Sequence, residues 1–177
     1  MNNKSKLLIA LALGVFLFKD KIMDVFNKTP KPIGTAKEGF LYVKDKHGVE
    51  YAKDIERLFR LETAHFTSGQ WLGTGSAGME ATKETFPFGW SLEEFNKLHG
   101  LSPNDYFIKY YNDNHTGKRT PFVGWKKTGD NIKFVAWFIK NKRNGDILSW
   151  YRLPSAATKT DRENYRKKLD AIKTQFV

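Results

Sequence analysis

The sequence predicts a mainly α domain, with a helical lobe beside a small β or irregular lobe. Three observations carry that expectation. Apolar residues recur at three- and four-residue spacing in separate stretches, as at Ala52, Ile55, Leu58 and Phe59, and again at Ile132, Val135, Ala136 and Ile139. Between them lie a Gly/Ser/Thr-rich segment (residues 65–87) and two short aromatic runs, 106–111, whose type the pattern leaves open, and 122–125, a strand or the approach to the next helix. The chain has 177 residues, 40% of them hydrophobic and 15% aromatic, which suits one packed domain with a tail rather than a disordered polymer.

Along the chain, Lys4 and Lys6 precede an apolar run over residues 7–18, closed by Lys19, Asp20 and Lys21. Three readings are open for residues 1–26: an uncleaved membrane anchor, a cleaved signal, or a buried helix. The run is shorter than the roughly 20 residues of a full span, and no small-residue cleavage site follows it. Lysines at its ends and Ile22, Met23, Val25 and Phe26 beyond could lengthen it. Residues 27–39 contain Pro30, Pro32 and Gly34 and read as a linker. The domain is expected over residues 40–177.

Within it, residues 40–43 read as a short extended segment, and Gly48 precedes a helix ending near Thr63. Ser91 with Glu94 matches a capping box for a helix through Leu98. Residues 112–120 read as a polar turn. Asp130 is placed to cap a helix through Ile139, ended by Asn144 and Gly145. A last helix is expected over residues 161–176, with Tyr165, Leu169, Ile172 and Phe176 inward.

Net charge is +11, from 30 Lys and Arg against 19 Asp and Glu. An anionic partner is expected: nucleic acid, a membrane surface or a wall polymer. With no cysteine, disulfides and thiolate metal sites are excluded. His47, His65, His99 and His115 lack metal-ligand spacing, so neither a metal nor a cofactor is expected. The stretch from Gly73 to Gly78 matches G-x-G-x-x-G, but a helix and loop precede it where a nucleotide-binding turn needs a strand. Its glycines read instead as freedom for a loop to approach a ligand closely.

One carboxylate stands out. The stripe Ala52–Ile55–Leu58–Phe59, continued by one turn, reaches Glu62, within roughly 20° of Ile55 around the helix axis. Asp54, Glu56, Arg57 and Arg60 lie off that stripe and read as solvated charges. Burial and the negative end of the helix dipole both raise a carboxyl's pKa and favour the protonated acid. Such an acid can protonate the leaving oxygen in glycoside cleavage. A structural Glu paired with Arg or backbone amides fits the pattern equally.

The stretch from Arg60 to Gln70, RLETAHFTSGQ, resembles the catalytic segment of lysozyme-like wall hydrolases. More specifically, the chain looks like the bacterial and phage glucosaminidases that cut peptidoglycan. The aromatic segment at 122–125, the Asp130 helix, Trp150 with Tyr151, and Ala156-Ala157-Thr158 before a Tyr165-Leu169-Ile172 helix extend the likeness over residues 40–177. The resemblance implies a lysozyme-like α+β fold around a glycan cleft, with Glu62 as general acid. Thr63 stands where the family often has Ser and keeps the hydroxyl. Glycoside cleavage by inversion or retention needs a second carboxylate, for which Glu80, Glu84, Asp105 and Asp113 are candidates, Glu80 and Glu84 lying in the loop nearest the acid. Thr63, His65, Ser68, Trp71, Trp90 and Tyr151 are the expected substrate-binding residues. Partners would be peptidoglycan strands, a membrane through the N-terminal segment and other phage virion proteins, with no specific nucleic acid; the setting would be a bacterial envelope or a virion. A lytic transglycosylase or muramidase of the same superfamily is one alternative. A non-catalytic basic protein that binds nucleic acid or wall polymer is the other.

Overall fold

A computed structural model of the chain describes residues 34–85, 89–112, 117–150 and 157–177. The apolar run at residues 7–18, and with it the expected anchor and most of the linker, lies outside the described residues, as do Phe88, Asp113, His115 and Tyr151. Among the described residues no helix is long and apolar enough to cross a membrane.

The fold is mainly helical with one small antiparallel sheet. Helix α1 spans Ala36–His47, where the sequence reads as the end of a linker and an extended segment. Its start is a capping box: the Thr35 hydroxyl accepts from the Glu38 amide at 3.2 Å, and the Glu38 carboxylate accepts from the Thr35 amide at 2.9 Å. Phe40 and Val43, buried on its inner face, sit at helical rather than strand spacing. Gly48, at φ 90°, turns the chain into α2, Val49–Glu62, which agrees with the expected helix.

The last turn of α2 leads to α3 (Gly69–Thr74), a short helix inside the expected loop. Helix α4 spans Trp90–His99, but the expected capping box does not form. Gly89 occupies the cap position, the Ser91 hydroxyl donates to the Glu84 carbonyl, and Glu94 pairs with Lys142 of a later helix. Tertiary partners have claimed both side chains.

Strands β1 (Tyr106–Asn112) and β2 (Arg119–Trp125) pair antiparallel from Tyr106↔Trp125 to Asn112↔Arg119. On the other edge of β2, Val123 donates to the Met79 carbonyl and Ala81 to the Pro121 carbonyl, each at 2.9 Å, so Glu80 pairs with Phe122.

Helix α5, Thr128–Lys142, is the centre of the molecule: every residue from Gly129 to Ile139 is buried. A helix that is apolar nearly all round has no solvent face to offer, and the sequence IKFVAWFI reads that way. Asp130 lies inside the first turn and is buried, instead of capping it. Helices α1 and α5 cross closely because Gly39 meets Gly129; a Cβ at Gly39 would lie 2.9 Å from the Gly129 Cα. The buried ammonium of Lys133 sits 5.0 Å from the Tyr42 ring, and burial lowers its pKa. Asn144 and Gly145, at φ 53° and 75°, end the helix as expected.

Helix α6 covers Lys159–Asp170, starting with a Thr158–Asp161 capping box and stopping short of the expected Phe176. The remaining residues turn back onto α2. There the Glu56 carboxylate accepts from the backbone amides of Gln175, Phe176 and Val177 at 2.7, 3.0 and 3.2 Å. It also accepts from Arg60 at 2.7 Å. Glu56 and Arg60 are therefore buried, at 0% and 4% exposure, and are not the solvated charges that their helical angle implies. The returning tail covers the face of α2 that the apolar stripe leaves open.

Candidate active site

Glu62 is the last residue of α2, where the helix dipole and burial both act on its carboxyl. Tyr165, brought by the buried face of α6, donates its hydroxyl to Glu62 Oε1. Burial raises the Glu62 pKa above the ordinary carboxyl value; the Tyr165 hydrogen bond and the charge of Lys168 oppose this and leave a net rise. Sequence periodicity assigns Tyr165 to the core. Its ring is core, and its hydroxyl serves the acid; a polar tip on an inward stripe is the signal that points to this.

Two cavities meet at Glu62. One, of about 310 Å³, runs along α6 past Tyr165, Asn164 and Lys168. The other, of about 440 Å³, lies between the segment from Ala77 to Thr85 and the end of α5, and contains Glu80, Glu84, Arg143 and Trp150. Glu62, Glu80 and Glu84 thus line one cavity, the second of the two. Glu84 is tied to the Arg143 guanidinium at 3.1 and 3.2 Å. Glu80 has no ion pair among the described residues, and its strand pairing with Phe122 fixes the backbone beneath it. Asp105 is spent on capping a short 3-10 helix, accepting from the Ser102 amide at 2.8 Å.

The segment after Glu62 is a left-handed turn. Ala64, His65 and Phe66 have φ of 48°, 56° and 68°. Three non-glycine residues in this region cost about 1–2 kcal/mol each, so the surroundings must hold them. The Thr63 hydroxyl does so from a buried position, donating to the Phe59 carbonyl at 2.5 Å and accepting from the Phe66 amide at 2.9 Å. The Phe66 ring adds to this by packing 5.3 Å from Trp71. Thr63 therefore shapes the turn and presents no hydroxyl to the cleft.

The other expected binding residues are dispersed. His65 is exposed on the turn. Ser68 caps α3, accepting from the Trp71 amide at 3.1 Å. Trp71 is buried against Phe59 and Phe66 and offers no open ring face. Trp90 is exposed on α4, with the Lys142 ammonium 5.6 Å from its ring, and lines neither cavity. Gly73 lets α3 approach the sheet: a Cβ there would fall 2.0 Å from the Tyr111 hydroxyl.

Trp150, named from the sequence only as the partner of Tyr151 in an aromatic pair and not as a binding residue, lies in the cleft. Its indole donates to the Ala77 carbonyl at 3.1 Å, and its ring borders the cleft beside Phe138. Among the described residues no three His, Asp or Glu side chains converge as metal ligands would. The arrangement offers one protonatable acid in a partly dry setting, with a second carboxylate and an indole lining the same cavity.

Comparison of the chain with known protein families, with characterised proteins and with solved structures finds no match.

Proposed function

We propose that the protein is a lysozyme-like glycoside hydrolase that cuts the glycan strands of peptidoglycan, as a glucosaminidase does. The observation that carries this reading is the position of Glu62, a carboxyl with a raised pKa where two cavities join. Open space on two sides of the acid suits an extended substrate, where one closed pocket would select a small molecule. The helical body, the acid at a helix end and the small sheet beside the cleft support a lysozyme-like arrangement.

In this reading Glu62 donates its proton to the glycosidic oxygen as the bond from C1 to that oxygen breaks. Tyr165 holds the carboxyl in place through Oε1. Glu80 faces the positive charge that develops at C1 and takes a proton from the water that adds there. Glu84, neutralised by Arg143, shapes the cleft wall. The basic surface draws the enzyme to acidic wall polymers, and residues 1–26 tether it to a membrane in an envelope or a virion.

Zymography on peptidoglycan, followed by mass spectrometry of the reduced digest, tests the reading. Cleared bands and reduced N-acetylglucosamine at the new ends are expected. Anhydro-muramyl ends would assign a lytic transglycosylase instead, and no clearing by folded protein would reject glycan cleavage.

The pH profile gives a second test. The acid is competent while protonated, and its pKa is raised, so kcat/KM holds from the acidic side up to that pKa and falls as pH rises through it. A flat profile between about pH 4 and 9 would argue against general acid catalysis.

A further inference from the structure

The sheet beside the cleft has one face closed by the core and one that α3 covers only in part. Val123, Trp125 and Tyr106 point into the core. Residues directly opposed across antiparallel strands point to the same side. Glu80 is opposed to Phe122, and Phe122 to Lys109, so these three side chains form a row across the sheet. At about 4.8 Å per strand the row extends roughly 10 Å outward from the cleft carboxylate. Phe107 and Tyr111, two residues either side of Lys109, share its face.

This face keeps its chemistry available. Phe107 is 37% exposed and lies over Gly124, whose missing side chain leaves room for the ring. The Lys109 ammonium sits 5.6 Å from the Tyr111 ring and has no ion pair among the described residues. Helix α3 walls one side, with Gly73 seated against Tyr111 and Lys109. Over residues 106–125 the sequence has Lys109, Lys118 and Arg119 against one carboxylate, Asp113. Rings beside an uncompensated cation suit a sugar polymer that carries acidic groups.

We infer that this face is a binding surface for the glycan strand beyond the cleft, with Phe107 offering its exposed ring to the sugars and Lys109 pairing with a carboxylate of the acidic peptide substituents. The inference rests on the glycan reading of the cleft. It makes Lys109 a determinant of selectivity for peptidoglycan over a neutral polymer of the same sugar, such as chitin.

The test is pelleting of the full chain with isolated peptidoglycan sacculi and with chitin, using Lys109→Gln and Lys109→Glu in a Glu62→Gln background so that the polymer is not consumed. Lys109 is exposed, so both variants are expected to melt as the parent does. Lys109→Gln should weaken binding to sacculi about fivefold, and Lys109→Glu more, with smaller losses on chitin. Added salt should weaken the parent more than the variants. Unchanged affinity for sacculi, equal losses on both polymers, or tighter binding of duplex DNA than of sacculi would each overturn the inference. Cleavage by the unmodified chain is scored separately, so a protein that binds sacculi through Lys109 but cuts nothing would reject the hydrolase reading alone.

Discussion

Glu62→Gln is expected to abolish glycan cleavage, with kcat falling about a thousandfold while the protein stays folded. The change removes the transferable proton and keeps the shape of the side chain. The amide oxygen of Gln still accepts the Tyr165 hydroxyl, so the contact between α2 and α6 survives. Melting temperature should move little, since a carboxyl with a burial-raised pKa is replaced by a neutral isostere. Rates on purified peptidoglycan, read beside a thermal melt, check both halves. A folded variant with parental lysis would remove Glu62 from the mechanism, whatever the cleft then does.

Glu56→Ala is expected to produce the largest loss of stability, about 3–5 kcal/mol by urea denaturation. The carboxylate is completely buried and holds Arg60 together with three backbone amides of residues 175–177. Its removal leaves a buried guanidinium without its carboxylate and strips the tail's amides of their acceptor. Arg60 also lies 5.1 Å from the Phe66 ring and 5.2 Å from the Phe176 ring. The tail's release would thus reach the left-handed turn after Glu62, and activity should fall at temperatures below the melt. A loss under 1 kcal/mol, roughly that of a surface pair, would mean that the tail contributes little.

These two glutamates show how far helical angle alone can be read. Both belong to α2, and the stripe through Ile55 and Leu58 is enough to place Glu62 on the inner side of that helix. The same argument puts Glu56 and Arg60 in solvent. They are buried because residues 171–177 leave the helical path at Asp170 and return across the far side of α2. An (i, i+4) Glu–Arg pair is common on exposed helix faces, and nothing within the helix marks this one as covered.

Other differences have the same origin. Ser91 and Glu94 have the spacing of a capping box, yet the Glu84 carbonyl takes the first and Lys142, on a distant helix, takes the second. Thr35 and Glu38 form a real box, and its spacing is legible, but the prolines just before it make the segment read as linker. Trp71 could have stacked on a sugar by residue type; Phe59 and Phe66 enclose it.

The periodic helices, the breaks at Gly48 and Asn144-Gly145, and the inward bearing of Glu62 are legible in the residue order, because each depends on neighbours within one or two turns. Which carboxylates share a cavity with Glu62, the hydrogen bond that Tyr165 gives it, and the row formed by Glu80, Phe122 and Lys109 depend on segments distant in the chain. Local spacing sets the direction of a side chain relative to its own helix or strand. What fills that direction is set by chain returning from elsewhere, and its burial energy and hydrogen bonds appear once those segments meet.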